Sequence, residues 1–195
     1  MDLPGGPYLV AGLGNPGDSY HGTRHNAGRD AVERLRIDGG FPSWTRAVRC
    51  EVSAGRMEGR ACVLARPLSY MNLSGPPVAS LLSERTAAPD RLLVVVDDFA
   101  LPLGRLRLRP RGSDGGHNGL ASLEAALGTA EYARLRIGIG PVPPGAVAEE
   151  FVLERFGKDE RPVLEEALAR AAACVRAWLA EGIAAAMERF NAALE

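Results

Sequence analysis

Residues 92–98, with the sequence LLVVVDD, decide the fold class of this chain. Five consecutive apolar residues end at Asp97 and Asp98, a pattern that is typical of a central strand buried on both of its faces. Such strands occur in parallel sheets whose two faces are covered by helices. The stretch therefore predicts an α/β protein with residues 92–96 in the middle of the sheet.

On either side of this strand, short apolar runs alternate with segments of helical periodicity. Further strands are predicted at residues 8–13, 48–54, 60–66, 105–109 and 134–139. Helices are predicted at residues 26–37, capped by Asn26, at residues 78–84, from about residue 118, and from residue 162 to a break at Gly182 before a shorter closing helix. Together they predict one domain over residues 1–195: a mixed, mostly parallel, twisted sheet flanked by helices, with a C-terminal helical segment.

The composition is ordinary for a globular protein. The 195 residues are 46% hydrophobic and 24% charged with a formal net charge of -1, which excludes a uniformly basic surface but allows a local basic face. Cys50, Cys62 and Cys174 are odd in number and lack metal-ligand spacing, which favours a reducing compartment. Because no stretch approaches the ~18 apolar residues of a membrane span, we expect a cytoplasmic protein without membrane contact.

Residues 12–28, GLGNPGDSYHGTRHNAG, begin with the letters G-x-G-x-x-G of a dinucleotide-binding turn. In such a turn a helix starts at once, and its N-terminus holds the pyrophosphate. Here the polar residues 18–22 postpone the helix to Asn26, and no strand ending in an acidic residue follows about 20 positions later to bind a ribose. The sequence therefore predicts no cofactor, and a nucleotide-dependent enzyme remains only as a rival hypothesis.

Three residues of this region and of the central strand are candidates for catalysis. Asn15 lies on a turn at the carboxyl end of the first strand, where α/β sheets bind their ligands, and His25 lies just before the first helix. Asp97 ends the buried strand, where a carboxylate could fix the tautomer of an imidazole and raise its basicity. The alternative is that Asp97 and Asp98 only cap the end of the strand.

Two further loops contribute side-chain amides, at residues 70–75 and 115–119. Asn72 and Asn118, together with Asn15, could donate hydrogen bonds to an oxyanion and hold an acyl substrate. The chain has no G-x-S-x-G motif for a covalent nucleophile, so water is the expected nucleophile. The histidines show no metal-binding spacing, and we predict no metal.

Arginines define a second candidate site. The alternation in residues 105–111 places four arginines on one face of a strand, and Arg134 and Arg136 are expected on a strand nearby. The helix that starts near Asn118 would add backbone N–H groups, so a phosphate could lie between Arg109, Arg136 and this helix start. The alternative is that these arginines form an ordinary solvated face.

Five separated motifs carry a resemblance to a known family: GLGNPGDSYHGTRHNAG, RPLSYMNLSG, VVVDDFALPLG, GSDGGHNGL and YARLRIGIGP. In this order they closely resemble the bacterial-type peptidyl-tRNA hydrolases, and with the C-terminal FVLERF the resemblance covers nearly the whole chain. It implies a single-domain α/β hydrolase that cleaves the ester between a peptide and the 3′ end of tRNA. Such an enzyme recycles tRNA in translation quality control and ribosome rescue, with peptidyl-tRNA as its partner, and is expected to be a monomer.

The resemblance also implies roles for individual residues. His25 corresponds to the catalytic base, Asp97 to the carboxylate that supports it, and Asn15 to the asparagine that distinguishes a blocked substrate from free aminoacyl-tRNA. The residues implied to line the substrate cleft are Tyr20, Tyr70, Met71, Asn72 and Asn118. The residues implied to bind tRNA phosphate are Arg109, Arg136 and His117.

Four positions depart from the usual pattern of the family: Arg29, Ala100, Asp114 and Ala121. These departures leave the proposed catalytic chemistry intact and concern the strength and geometry of tRNA binding. The rival within the family is a non-catalytic RNA-binding paralogue on the same fold. The presence of Asn15, His25 and Asp97 together favours the enzyme.

Overall fold

The computed structural model describes residues 6–47 and 49–192. In this part of the chain seven strands form one sheet. They are β1 (Tyr8–Gly12), β2 (Thr45–Ala47), β3 (Cys50–Met57), β4 (Arg60–Pro67), β5 (Leu92–Pro102), β6 (Leu106–Arg109) and β7 (Ala133–Gly140). Their order across the sheet is β2-β3-β4-β1-β5-β7-β6.

Neighbouring strands β4, β1, β5 and β7 run parallel, and the pairs β2–β3, β3–β4 and β6–β7 are antiparallel. This confirms the prediction of a mixed, mostly parallel sheet. The strand predicted at residues 48–54 begins instead at Cys50, and Val48 lies outside the described residues. The hairpin between β3 and β4 turns at Glu58 and Gly59, whose φ angles are 50° and 74°.

Helices cover both faces of this sheet. They are α1 (Ala27–Asp38), α2 (Gly75–Glu84), α3 (Asn118–Leu127), α4 (Ala148–Phe151), α5 (Arg161–Glu181) and α6 (Ile183–Phe190). Apolar side chains of α1, α5 and α6 pack with Leu93 and Val95 of β5, and those of α2 and α3 pack with Val94 and Val96 on the other face. The central strand is therefore buried on both sides, as its unbroken apolar run predicts.

The first helix packs unusually close to the central strand. An added Cβ on Gly28 would lie 2.2 Å from the backbone oxygen of Val95, so only glycine allows this approach. The backbone N–H of Leu13 donates to the same Val95 oxygen at 3.0 Å. This packing sets the turn before α1, which carries His25, beside Asp97. Asp97 was predicted to end the central strand, but β5 continues to Pro102, and Asp97 lies where β5 extends beyond its pairing with β1.

Three further local features differ from the sequence predictions. Strand β2 was not predicted, because its three residues are too few to show an alternating pattern. Helix α4 was not predicted, because four residues are too short to show a helical period. Asn26 precedes α1, but its side chain makes no capping hydrogen bond to that helix. None of the helices in residues 6–47 and 49–192 is long and apolar enough to cross a membrane.

Candidate active site

A cleft of about 420 Å³ opens at the carboxyl end of β1 and β5. It is lined by all eight residues that the sequence assigned to catalysis or to the substrate: Asn15, Tyr20, His25, Tyr70, Met71, Asn72, Asp97 and Asn118. These residues come from segments far apart in the chain, and the parallel strands bring them to one edge of the sheet. The cleft is therefore the candidate active site.

His25 forms a close pair with Asp97 at the floor of this cleft. Nδ1 of His25 lies 2.9 Å from each of the two carboxylate oxygens, and Asp97 is 1% exposed. A carboxylate can only accept here, so Nδ1 carries the proton. In the neutral ring, Nε2 of His25 then has the free lone pair, and Nε2 has no hydrogen-bond partner among the described residues. The pair has the geometry of a general base oriented by a buried carboxylate.

The carboxylate is held in its charged form by its neighbours. Burial by itself would raise the pKa of Asp97, but the charges and hydrogen bonds of His117 and His25 outweigh burial and hold that pKa well below its usual range. Asp97 therefore stays ionised across the neutral range of pH.

His117 lies in this cleft and not with the surface arginines, with which its predicted phosphate-binding role would group it. Its Nε2 is 3.1 Å from Oδ1 of Asp97, and its Nδ1 accepts hydrogen bonds from the backbone N–H groups of Gly119 and Leu120. Both ring nitrogens are thus used within the protein, and the N–H groups of Gly119 and Leu120 in the first turn of α3 are already bonded. These contacts do not favour a phosphate-binding role for His117 or for these two N–H groups.

Asn15 is fixed by three hydrogen bonds at the end of β1. Its Oδ1 accepts from the backbone N–H of Met71 at 2.8 Å, which leaves its amide NH₂ as the group that can face a ligand. Its backbone exchanges two further bonds with the side chain of Asn26, at 2.8 Å and 3.0 Å. This exchange explains why Asn26 does not cap α1: its amide holds the turn that presents Asn15.

The rim of the cleft is partly apolar. Tyr20 and Tyr70 meet edge to face with ring centroids 6.2 Å apart, and Tyr70 is 56% exposed. On the other side, Phe99 and four residues of the α4 region complete the wall: Ala148, Glu149, Val152 and Leu153. Sequence reasoning missed this wall. Its only signal was the apolar group Phe151-Val152-Leu153 after a proline-rich loop.

The α4 region is joined directly to the turn that carries His25. The backbone N–H of His25 donates to the oxygen of Val152 at 2.7 Å, and that of Arg24 donates to the oxygen of Glu154 at 2.9 Å. The Arg24 side chain lies over the ring of Phe151 and makes two bonds to the carboxylate of Glu160, at 2.9 Å and 2.7 Å. Buried Arg24 therefore fastens the wall to the candidate base.

A second cavity, of about 360 Å³, is lined by arginines at the β6 edge of the sheet. Arg107 and Arg109 are exposed on β6, and Arg111 forms an exposed ion pair with Glu131. Arg105, which was expected on the same face, donates instead to the backbone oxygen of Asn191. The open basic face is therefore narrower than predicted.

The two arginines of β7 are engaged in structural contacts. Arg134 is 1% exposed and ion-pairs with Glu124, so it is not part of the open face. Arg136 pairs with Asp98 at 3.2 Å and donates to the backbone oxygens of Ser113 and Asp114. It lines the cavity, but it also holds the glycine loop in place.

The four departures from the family pattern lie outside the floor of the cleft. Arg29 bridges from α1 to Glu51 and to the backbone of Pro67. Asp114 bonds the backbone N–H of Gly116 within the glycine loop, Ala100 lines the arginine cavity, and Ala121 is exposed on α3.

The structure also bears on other candidate groups. Burial raises the pKa of the Cys50, Cys62 and Cys174 thiols to about 12, so they are poor nucleophiles. The potential metal-ligating atoms of His25, Asp97 and His117 lie within 4.8 Å of one another. Because those atoms already join the three residues by hydrogen bonds, a metal would have to displace the shared protons.

A mixed, mostly parallel α/β sheet that presents a histidine–carboxylate pair and side-chain amides in one cleft is typical of an enzyme of the hydrolase class. The family model described as peptidyl-tRNA hydrolase matches residues 9–195. Peptidyl-tRNA hydrolases of Chloroflexus aggregans and Frankia casuarinae are each 46% identical to this chain, over 94% and 97% of it and 98% and 96% of their own lengths. The chain belongs to the peptidyl-tRNA hydrolase family.

Solved structures agree with this assignment. The crystal structure of the peptidyl-tRNA hydrolase of Acinetobacter baumannii superposes with a TM-score of 0.90 at 31% identity and covers 98% of both chains. A peptidyl-tRNA hydrolase crystallised with N-propanol gives a TM-score of 0.88 at 34% identity over 95% of both chains. The resemblance predicted from the sequence motifs is thus confirmed.

Proposed function

We propose that this hydrolase cleaves the ester bond between a peptide, or an N-blocked amino acid, and the 3′ end of tRNA, with His25 as the general base. The observation that carries the proposal is the pair formed by His25 and Asp97. The carboxylate fixes the proton on Nδ1 and leaves Nε2 available in an open cleft.

The reaction follows from this arrangement. Nε2 of His25 takes a proton from a water molecule as the water oxygen forms a bond to the ester carbonyl carbon. The tetrahedral intermediate then collapses, the bond to the 3′ oxygen breaks, and the imidazolium returns the proton to that oxygen. Asp97 stabilises the imidazolium between the two steps. The products are deacylated tRNA and a peptide carboxylic acid, which releases its remaining proton to solvent and becomes a carboxylate.

The side-chain amides of the cleft stabilise the negative charge that develops on the ester oxygen and bind the peptide. The NH₂ group of Asn15 is directed to ligands because its oxygen is bonded to Met71, and fixed donors of this kind stabilise an oxyanion. Asn72 and Asn118 are exposed in the cleft. Their amides can pair with peptide groups, which favours a blocked, peptide-like acyl chain.

The tRNA phosphates are proposed to bind at the arginine cavity, chiefly through Arg109 with support from Arg136. Exposed guanidinium groups bind phosphate in a bidentate manner, and Arg107 adds charge on the same strand. His117 is not included, because both of its ring nitrogens are used in the cleft.

Three further proposals concern the organisation and location of the protein. One continuous sheet supports a single catalytic domain over residues 1–195. The protein is also proposed to act as a monomer, as the family resemblance implies. Three free, buried cysteines support a reducing compartment such as the cytoplasm.

Release of deacylated tRNA from N-acetyl-aminoacyl-tRNA tests the proposal, with unblocked aminoacyl-tRNA as the specificity control. His25→Ala should lose about 10²- to 10⁴-fold in kcat while its circular dichroism spectrum is retained. His21→Ala is the matched control, because His21 lines a different cavity and should keep the parent rate. If His25→Ala hydrolysed the blocked substrate at the parent rate, or if the parent bound tRNA without cleaving it, the proposal would fail.

A further inference from the structure

We propose that His117 is a positioning residue that fixes the direction of the Asp97 carboxylate and shares its charge with His25. The proposal rests on the function proposed above, since it assigns a role in supporting the base of that site. It replaces the phosphate-binding role that the sequence suggested for this histidine.

The protonation pattern of His117 follows from its own contacts. Nδ1 faces two backbone N–H donors, from Gly119 at 3.1 Å and Leu120 at 3.3 Å. A nitrogen that accepts from two donors cannot carry a proton itself. The proton of the ring is therefore on Nε2, and the first turn of α3 selects this tautomer.

That proton is directed to Asp97. Nε2 of His117 lies 3.1 Å from Oδ1, the oxygen that is also 2.9 Å from Nδ1 of His25. The His117 side chain is 7% exposed and that of Asp97 is 1% exposed, so water does not replace this contact freely. Among the described residues, the two imidazoles are the hydrogen-bond partners of the Asp97 carboxylate.

Two consequences follow for catalysis. The Asp97 carboxylate is bonded to the His117 ring, which is itself held by the first turn of α3. The plane of the carboxylate is therefore fixed independently of its bond to His25. The anion also divides its charge between two donors, so it stabilises a His25 imidazolium less than an unshared carboxylate would. Loss of the His117 donor should therefore both disorder the pair and change the pH at which the base becomes active.

Two substitutions at His117 separate the two functions of its ring. In His117→Asn, the side-chain oxygen can replace Nδ1 and cap α3, but the amide is too short to reach Asp97. In His117→Gln, an amide N–H can take the place of Nε2 and donate to Asp97, at the expense of the cap. The titratable groups at the cleft rim, Glu149 and the two tyrosines, are the same in both variants.

The experiment measures kcat, KM and the pH dependence of kcat/KM on N-acetyl-aminoacyl-tRNA for the parent and both variants, with their melting temperatures. We expect His117→Asn to lose about tenfold in kcat with little change in KM, the size of one hydrogen bond to a charged group. The acidic limb of its pH profile of kcat/KM should move to higher pH by about 0.5–1 pH unit. His117→Gln should keep the parent limb and most of kcat although it melts at a lower temperature.

A purely structural role in capping α3 would give the opposite ranking. The proposal is overturned if His117→Asn has the parent kcat and acidic limb, or if His117→Gln shifts the limb as far as His117→Asn does. His25→Ala, measured in the same assay, separates this outcome from failure of the proposed function. An inactive His25→Ala beside an unaffected His117→Asn rejects only the role of His117.

Discussion

Nδ1 of His25 is 2.9 Å from both carboxylate oxygens of Asp97, although the two residues are 72 positions apart in the chain. The contact depends on β5 passing the turn that precedes α1, just beyond the last residue that pairs with β1. Glycine at position 28 allows this closeness, because no side chain separates α1 from the backbone of Val95. The candidate catalytic pair is thus a consequence of helix–strand packing as much as of the two residues themselves.

Replacing Asp97 by asparagine should reduce kcat less than His25→Ala does, by about tenfold to a thousandfold. The amide keeps the shape of the carboxylate but loses the charge that stabilises an imidazolium. Steady-state kinetics on N-acetyl-aminoacyl-tRNA measure the effect. Asp159→Asn, at an exposed carboxylate on another surface, is the matched control. A rate for Asp97→Asn equal to that of the parent would contradict the proposed support of His25.

Charge reversal at Arg109 should raise KM for whole tRNA substrates and leave a short ester mimic almost unaffected, because Arg109 is exposed at the β6 edge, outside the cleft. Arg46→Glu is the control, since Arg46 is exposed on β2, at the opposite edge of the sheet. Arg136→Glu should impair both substrates, because Arg136 also holds the loop oxygens of Ser113 and Asp114. Equal effects of Arg109→Glu on the two substrates would argue against phosphate binding there.

Asp30→Asn should stabilise the protein at neutral pH. Burial raises the pKa of Asp30 to about 6 despite the opposing charges of His21 and Arg29, and its carboxylate has no hydrogen bond or ion pair in the described part of the chain. The native state thus binds this proton more tightly than the unfolded chain, so stability falls as pH rises from about 4 to 6.

The gain from Asp30→Asn should therefore be absent near pH 4 and reach up to about 3 kcal/mol above pH 6. Urea unfolding at pH 4, 6 and 8 measures it, with Asp18→Asn, at an exposed residue, as the comparison. A variant that is equally stabilised at pH 4 and pH 8 would show that ionisation of Asp30 is not the cause.

Gly28→Ala should be strongly destabilising. An added Cβ would lie 2.2 Å from the Val95 oxygen, so α1 must move away from β5 at a cost of about 3 kcal/mol or more. Gly157→Ala is the control, because the nearest atom to its added Cβ is a carboxylate oxygen of Glu160 at 3.3 Å. The free energy of unfolding and kcat should both fall for Gly28→Ala. A parent-like value of either would mean that the contact is not needed.

Much of the sheet could be predicted from the sequence because its pattern is local. The apolar run at residues 92–96 and the alternating leucines of β6 each indicate a strand without knowledge of the rest of the chain. Asn15 and Asp97 could be found because each follows the apolar run of one of two adjacent parallel strands, and His25 could be found because it lies just before the helix that follows the first of these strands.

The remaining features depend on tertiary contacts that a local pattern does not contain. The motif G-G-H-N-G suggests an anion loop, but the ring of His117 turns inward to Asp97 and caps α3. Alternation in β7 suggests two open arginines, yet Arg134 is covered, because it bonds to Glu124 of α3 and to the backbone oxygens of Ser113 and Ala130. Helix α4 is set by backbone bonds to the turn that carries His25.

The link between Arg24 and Glu160 has a consequence for substrate choice. The backbone oxygens of Val152 and Glu154 accept hydrogen bonds from the backbone N–H groups of residues 25 and 24. Because Arg24 is also bonded to Glu160, the α4 wall of the cleft and His25 should move together. A bulky acyl chain that pushes on this wall would tilt the imidazole relative to the attacked carbonyl. Discrimination among nascent chains should then be expressed in turnover more than in affinity.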